Sequence, residues 1–364
     1  MATMDAIHGE IRLSPLCAAF CGHPHFQRLR RVRQIGSGVL VFPGAHHTRY
    51  QHSLGVCELA RRMLDSLGVA APALREGVLL AALCHDIGHA PFSHAFDRFG
   101  EVQFEHEERS QHLLLKMYED LKEHPAVRGV LDPAAARWAA HLIDPDRQLS
   151  ASPEPYLEQI VNNVNIMDVD KLDYLMRDCQ HLTGQALRID VYGIIDRCAV
   201  CEGQLAFAAQ DAPLLRQLLD LRTRFHRRYY CDPRVEASGW MLAQLVHGHL
   251  RAGGADYGEL GRFSRAVAAL DDSIIDDLAA APGPLRPLAQ RIQQGQWMRH
   301  LRDVRHPPAG ADENEVVFTW DVEVSKHTSG RALPRIPFHA AGEAAASPAP
   351  GPPAGSLLYR VFRQ

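Results

Sequence analysis

Residues 78–94 read VLLAALCHDIGHAPFSH, and the way this stretch ends decides the fold. An apolar run closing on adjacent His85 and Asp86 predicts a buried helix that carries two metal-type ligands into the interior. Gly88 and Pro91 loosen that helix, so the following residues turn towards a cavity. His89, four residues after His85, is placed on the same helical face, and His94 comes just past the break. A helix end bonded to its own carbonyls would account for any one of these histidines. Three histidines and a carboxylate behind an apolar anchor point instead to a site.

Upstream, residues 46–67 read HHTRYQHSLGVCELARRMLDSL, with helical spacing of Leu54, Val56, Cys57, Leu59, Ala60, Met63, Leu64 and Leu67 from Ser53 onward. His52 stands at the start of that helix, where a rigid element can hold a ligand, and Arg49 reaches the same place. GSGVLVFPGA (36–45) bends the chain before it. Residues 5–35 open with a turn and strand and continue into a basic amphipathic segment. There Arg28, Arg30, Arg31 and Arg33 fit either a solvated helix face or an anion site.

Downstream, EVQFEHEERSQHLLLKMYEDLKEH (101–124) predicts an amphipathic helix with His106 and Glu107 near its start, and residues 132–156 a loop. In residues 156–182 a helical pattern is punctuated by Asp168, Asp170, Asp173 and Asp178. All four could lie on a wet face. Because Val169, Leu172 and Leu175 need the interior, at least one carboxylate should instead meet a cation. LRTRFHRRYYCD (221–232) sits in a helical region and suits a salt-bridged face or a phosphate contact equally. Helix is predicted to about residue 305. EVVFTWDVEV and LLYRVF then alternate as strands, and AASPAPGPPAG (345–355) reads as a linker. The division expected is 1–305 for the main domain and 306–364 for a small lobe.

A chain of 364 residues, 46% hydrophobic and 23% charged, is an ordinary globular composition. Its net charge of −4 argues against general affinity for nucleic acid, which is possible but not indicated. No apolar run is long enough to span a bilayer, so no membrane partner is expected. Eight irregularly spaced cysteines without a secretory leader suggest reduced thiols and a cytoplasmic setting.

His52, His85, Asp86 and a distant Asp170 make a mixed imidazole and carboxylate set. That set suits a divalent Fe, Mn, Zn, Co or Ni ion with positions open for water and a phosphate oxygen. Phosphoester chemistry further needs cationic clamps, for which Arg49, Lys171 and Arg222 are candidates. It also needs a proton donor, for which His94 and His106 are candidates, with Asp97 or Glu107 orienting one of them.

With H…HD…D in place, the chain resembles the HD-domain phosphohydrolases. DAIHG, FQRLR, VFPGAHHTRYQHSLGV, LCHDIGHAPFSHAFD, EHEERS, DVDKLDYLMRDCQHL and HRRYY further resemble, in order, the SAM-and-HD-domain deoxynucleoside triphosphate triphosphohydrolases. The likeness spans roughly residues 5–305, without the SAM domain. It implies a mostly α fold, an HD-domain helical core with a small α+β C-terminal lobe. It implies His52, His85, Asp86 and Asp170 as metal ligands, with Mg or Mn accompanying the triphosphate. Arg49, Lys171, Tyr174 and Arg222 become triphosphate contacts. His94, His106 and Asp97 become the acid/base group, with Glu107 beside them and His89 as a further phosphate contact. Gln34 and Asp178 match positions holding the sugar 3′-hydroxyl, and Ile35 and Tyr230 the wall that excludes a 2′-hydroxyl. The implied reaction is attack at the α-phosphorus, giving deoxynucleoside and inorganic triphosphate, in a homo-oligomer, dimer or tetramer.

The departures concern effector binding. Gln27 and Arg30 match guanine-site positions, but Gly22 replaces the acidic residue there. Val191, Gln210 and Ala212 replace basic residues at a second effector site, and Asp232 a histidine, which predicts an enzyme without a GTP/dNTP switch. Two other readings stay open. One is an HD phosphohydrolase acting on a monophosphate or modified triphosphate. The other is a nucleotide- or nucleic-acid-binding protein with a disabled site.

Overall fold

The computed structural model describes residues 1–100, 102–147, 152–162, 167–304, 315–321, 338–339 and 357–363. A hairpin of β1 (Ala2–Asp5) and β2 (Gly9–Arg12) leads into α1 (Pro15–Gly22) and a helical turn, α2 (Pro24–Gln27). Next come α3 (Arg49–Ser66), α4 (Pro72–Cys84), α5 (His94–Phe99), α6 (His106–Leu121), α7 (Pro133–His141), α8 (Pro155–Val161), α9 (Val169–Thr183) and α10 (Val191–Asp196). The hairpin of β3 (Ala199–Cys201) and β4 (Gln204–Ala208) precedes α11 (Ala212–Phe225), α12 (Pro233–Ala252), α13 (Leu260–Ala268), α14 (Ile274–Ala280) and α15 (Arg286–Gln293). Strands β5 (Arg299–Val304), β6 (Glu315–Asp321), β7 (Phe338–His339) and β8 (Leu357–Arg363) complete the described residues. The fold is mostly α with a small strand-containing C-terminal part.

Helix α3 begins at Arg49, four residues earlier than its apolar spacing suggests. Thr48 accepts from the Gln51 amide while the Gln51 side chain accepts from the Thr48 amide, a reciprocal cap that starts the helix ahead of its hydrophobic stripe. Arg49 and His52 are thereby fixed on the first turn. Helix α4 starts on Pro72 and is buried continuously from Gly77 to Cys84. It ends at Cys84, and the chain turns through residues 85–88, so His89 does not share a helical face with His85 as its spacing predicts. Residues 132–156, expected as a loop, contain α7, started by Asp132 as cap and Pro133 in the first turn. Helix also stops short of residue 305, because Arg299–Val304 pairs antiparallel with β8. Of the predicted strand EVVFTWDVEV, Glu315–Asp321 is a strand and the rest lies outside the described residues; it pairs with the predicted strand LLYRVF, Val317 opposite Val361. The 345–355 linker lies outside the described residues. All eight cysteines are free thiols.

The basic segment at 28–33 divides: Arg30 and Arg31 lie on an exposed face, whereas Arg28 is buried. Arg28, 6% exposed, donates Nη2 to the carbonyls of Ile87 and His89, both at 2.8 Å, and Nη1 to Leu270 O at 2.9 Å. Asp272 accepts the backbone N–H groups of Arg33 at 2.9 Å and Phe92 at 2.8 Å. These bonds strap the 87–93 loop from both sides. The straps hold a strained backbone, since Phe92 and Ser93 have φ of 60° and 56°. Gly36 permits the arrangement: at its φ of 52° a Cβ would stand 2.2 Å from Phe92 O.

Candidate active site

Two clusters of histidine and carboxylate face one cavity of about 450 Å³. In the first, His52 comes from the opening turn of α3, His85 from the end of α4 and Asp170 from the first turn of α9. His52 Nδ1 donates to Asp173 Oδ2 at 2.7 Å, and His85 Nδ1 donates to Ala82 O at 2.9 Å. With both Nδ1 atoms committed as donors, each neutral ring presents a lone pair at Nε2. The two Nε2 atoms lie 3.2 Å apart, with Asp170 Oδ1 at 2.9 Å from His52 and 3.6 Å from His85. Three such atoms at these distances need a shared proton or a metal cation among them, and two imidazoles with a carboxylate make a donor set that fits a divalent ion. Asp86 Oδ2 is 3.5 Å from both Nε2 atoms and also accepts Arg49 Nη1 at 2.5 Å. Burial opposes charge on His52, but the hydrogen bonds to Asp170 and Asp173 outweigh it and carry the ring up to about 10. Burial likewise opposes charge on Asp86, yet Arg49 holds its carboxyl well below the usual range.

The second cluster is His89, His94, Asp97 and His106. His89 stacks on His106 with ring centroids 3.9 Å apart, and His94 meets both edge-on at 4.8 and 5.3 Å. His106 Nδ1 lies 3.1 Å from Glu107 and 3.9 Å from Asp97. Asp97 in turn accepts Arg109 Nη2 at 2.7 Å, while Arg109 Nε donates to Gly88 O at 2.8 Å. His94, exposed towards the cavity, is held below its ordinary value by partial desolvation and by the Arg49 charge. Burial also lowers His106 to about 3 and raises Glu107 to about 7. The cluster therefore rests as neutral imidazoles. Bringing an anion into it would raise their basicity.

His89 belongs to this second cluster, although its Nε2 stands 3.3 Å from Asp86 Oδ1, which makes it the point where the two clusters meet. Every other site residue singled out in the sequence lies on the cavity wall except His52 and Asp97, which stand behind it. Arg49 is aimed by Ser93, whose Oγ accepts Arg49 Nε at 2.7 Å and donates to Arg33 O at 2.7 Å. Arg222 Nε donates to Tyr174 OH at 2.8 Å. Lys171 pairs with Asp168. Asp178 accepts from His47 Nε2 at 2.6 Å and from the Tyr230 hydroxyl, and Gln34 and Ile35 form the rim nearby.

These contacts also sort the aspartates of residues 156–182, none of which is merely a wet-face charge. Asp168 caps α9, Asp170 reaches the imidazoles, Asp173 lies beneath His52 and Asp178 braces Tyr230. Among the arginines of 222–228, Arg222 faces the cavity while Arg224, Arg227 and Arg228 are exposed. The sequence reading passed over His226, Cys231, Arg98 and Asn162, which line the same cavity. A π-helical turn at His226–Tyr230 rotates the first two inward, and helical spacing gives no sign of such a turn.

Residues 49–175 match the HD domain family. The chain is 36% identical over 260 residues to the human deoxynucleoside triphosphate triphosphohydrolase SAMHD1, covering 62% of this chain and 41% of that protein. The Danio rerio protein of the same name is 31% identical over 337 residues, covering 82% of this chain and 54% of its own length. A homologue from Dictyostelium discoideum is 32% identical over 252 residues, covering 66% and 47%. The chain thus spans about half the length of the curated relatives it matches. No helix among the described residues is long and apolar enough to cross a membrane. A cation-ready His/Asp cluster within the matched segment and a second histidine cluster across the same cavity agree with that likeness: residues 49–175 match the HD domain, and the chain is similar over most of its length to the deoxynucleoside triphosphate triphosphohydrolases.

Proposed function

We propose that the chain hydrolyses deoxynucleoside triphosphates to deoxynucleoside and inorganic triphosphate. The observation that carries this is one cavity holding a three-acceptor cation site, a neutral histidine cluster and the side chains of Arg49, Lys171 and Arg222. A divalent ion held by His52, His85, Asp170 and Asp86 would polarise a phosphoryl oxygen and lower the pKa of water; Fe, Mn, Zn, Co and Ni all suit the donors. Arg49 and Arg222 set positive charge along the polyphosphate, and Ser93 and Tyr174 hold those guanidinium groups in place before substrate arrives. His94, neutral in the free protein, gains basicity beside the incoming anion and is then placed to give a proton to the leaving oxygen. On this reading His94→Ala lowers kcat by about 10²–10⁴-fold, while metal content measured by mass spectrometry stays at the wild-type level.

Three of the positions matching effector sites, Gln27, Arg30 and Asp232, make bonds within the chain. Arg30 Nε donates to Gln27 Oε1 at 2.8 Å and Arg30 Nη2 to Tyr50 OH at 2.6 Å, while Asp232 caps α12 and holds Arg234. We therefore expect turnover without a GTP/dNTP switch, in a cytoplasmic homo-oligomer. The test is hydrolysis of each dNTP with Mn or Mg, with and without GTP, and chromatography of the phosphate product. Triphosphate formed without GTP is the expected result. Orthophosphate or pyrophosphate would overturn the reaction, and an absolute need for GTP would overturn the missing switch.

A further inference from the structure

The N-terminal hairpin sends the side chains of Asp5 and His8 into the interior, to the far side of the metal-facing imidazole. Asp5 Oδ1 closes the turn by accepting the amides of Ile7 at 2.9 Å and His8 at 3.1 Å. Past that turn, His8 Nε2 donates to Asp173 Oδ1 at 2.6 Å, and its Nδ1 lies 2.7 Å from the Tyr192 hydroxyl. Arg177, fully buried, donates Nε and Nη2 to the two oxygens of Asp173 at 3.0 and 2.9 Å and Nη1 to Asp5 Oδ2 at 2.9 Å. The remaining donor on Asp173 is His52 Nδ1. A single carboxylate thus collects every donor around it and is left with one orientation. Gly55 lets α3 approach this closely, because a Cβ there would lie 1.9 Å from Asp173 Oδ1.

We propose that His8, Asp173, Arg177 and Tyr192 are positioning residues of the metal centre, through which the N-terminal hairpin fixes the tautomer and aim of His52. The reasoning is geometric. A histidine ligates through one ring nitrogen only while the other is held as a donor, and Asp173 supplies that hold. Asp173 would be free to rotate about its side-chain torsions without Arg177 on one edge and His8 on the other. His8 would in turn be free to swing without Tyr192. The bonds therefore run in series, Tyr192 to His8 to Asp173 to His52, across elements far apart in the chain. None of the four residues lines the cavity, and His52 is the member of the cation-ready cluster to which Asp173 bonds directly.

The inference rests on the metal-centre reading and not on the choice of substrate, so it is tested by metal binding. Full-length wild type, His8→Ala, Asp173→Asn and Tyr192→Phe are stripped with chelator, shown to be folded by circular dichroism, and titrated with Mn(II) by electron paramagnetic resonance. His8→Ala and Asp173→Asn are expected to bind Mn(II) about 10–100-fold more weakly, the usual effect of losing such a partner. Asp173→Asn fails because its amide can serve His52 only by turning an NH₂ towards Arg177. Tyr192→Phe, which removes one hydroxyl, gives a smaller loss in the same direction and serves if the other two do not fold. His8→Gln, with an amide donor of similar reach, recovers part of the affinity. Folded variants that bind Mn(II) as tightly as wild type would overturn the proposal, and so would a wild-type protein that binds none. The second outcome removes the metal centre as well, whereas the first leaves it standing.

Discussion

Asp170→Ala is expected to lose its divalent metal and to lower kcat/KM by about 10³-fold or more, since metal polarisation supplies several kcal/mol and each 1.36 kcal/mol is tenfold. Asp170 supplies the anionic member of the three-acceptor set, 2.9 Å from His52 Nε2. Its side chain is 34% exposed at the cavity edge, so truncation opens no void in the core and the fold should survive. The metal-free site has its own signature. His52, carried up to about 10 by Asp170 and Asp173 against the opposing effect of burial, holds a proton at neutral pH. A metal must displace that proton, so apparent affinity in the wild type rises with pH up to about 10. In Asp170→Ala one of the two carboxylate hydrogen bonds to the ring is gone, so the proton is held less firmly and this pH slope flattens. Titration of Mn(II) into both proteins at several pH values measures affinity and slope together. Wild-type metal content and turnover in the variant would remove Asp170 from the centre.

Much of this cavity's lining was legible because its histidines and carboxylates come from short, strongly patterned stretches. The apolar run before His85 could only be a buried helix, and α4 is buried from Gly77 to its last residue. The four aspartates of 156–182 stood out as carboxylates embedded among residues that needed the interior. Their individual partners were not legible, because each is supplied from a distant element: His47 for Asp178, and His8 and His52 for Asp173. Arg28 was misread for the same physical reason. A charge in an amphipathic pattern gives no hint that three carbonyls from two other loops will surround it. Nor could α3 be started correctly from its hydrophobic stripe, because the reciprocal Thr48–Gln51 cap acts before the stripe begins. Periodicity reports which face is buried, while caps and long-range polar bonds decide where elements start and what their charged residues hold.

Gly88 carries that distinction furthest. In the sequence it reads as a loosening of the helix between His85 and His89. In the structure it is a contact surface: a Cβ there would lie 2.3 Å from His106 O, 2.4 Å from Ser110 N and 2.8 Å from Arg109 C, all backbone atoms of α6. Backbone cannot rotate aside as a side-chain tip can, so the first turns of α6 would have to move. The same contact is locked by Gly88 N–H donating to Ser110 Oγ at 2.8 Å and by Arg109 Nε donating to Gly88 O. Moving α6 therefore breaks buried hydrogen bonds and withdraws His106 and Glu107 from His89 and His94. Gly88→Ala is expected to cost about 3 kcal/mol or more of stability, combining overpacking with lost buried hydrogen bonds. Where the variant remains folded, turnover is expected to fall by about 10²-fold or more, because the histidine cluster proposed for proton transfer is displaced. The two clusters should respond differently. His52, His85 and Asp170 come from α3, the end of α4 and α9, while Asp86 shares the 85–88 turn with Gly88. Metal content should therefore fall less than activity does, unlike the Asp170→Ala pattern, in which metal and activity disappear together. Denaturant unfolding, metal analysis and turnover on the same preparation make the comparison. Gly88→Ala with unaltered stability would show that α6 can yield at this contact, and the tight 85–89 spacing would then need another cause.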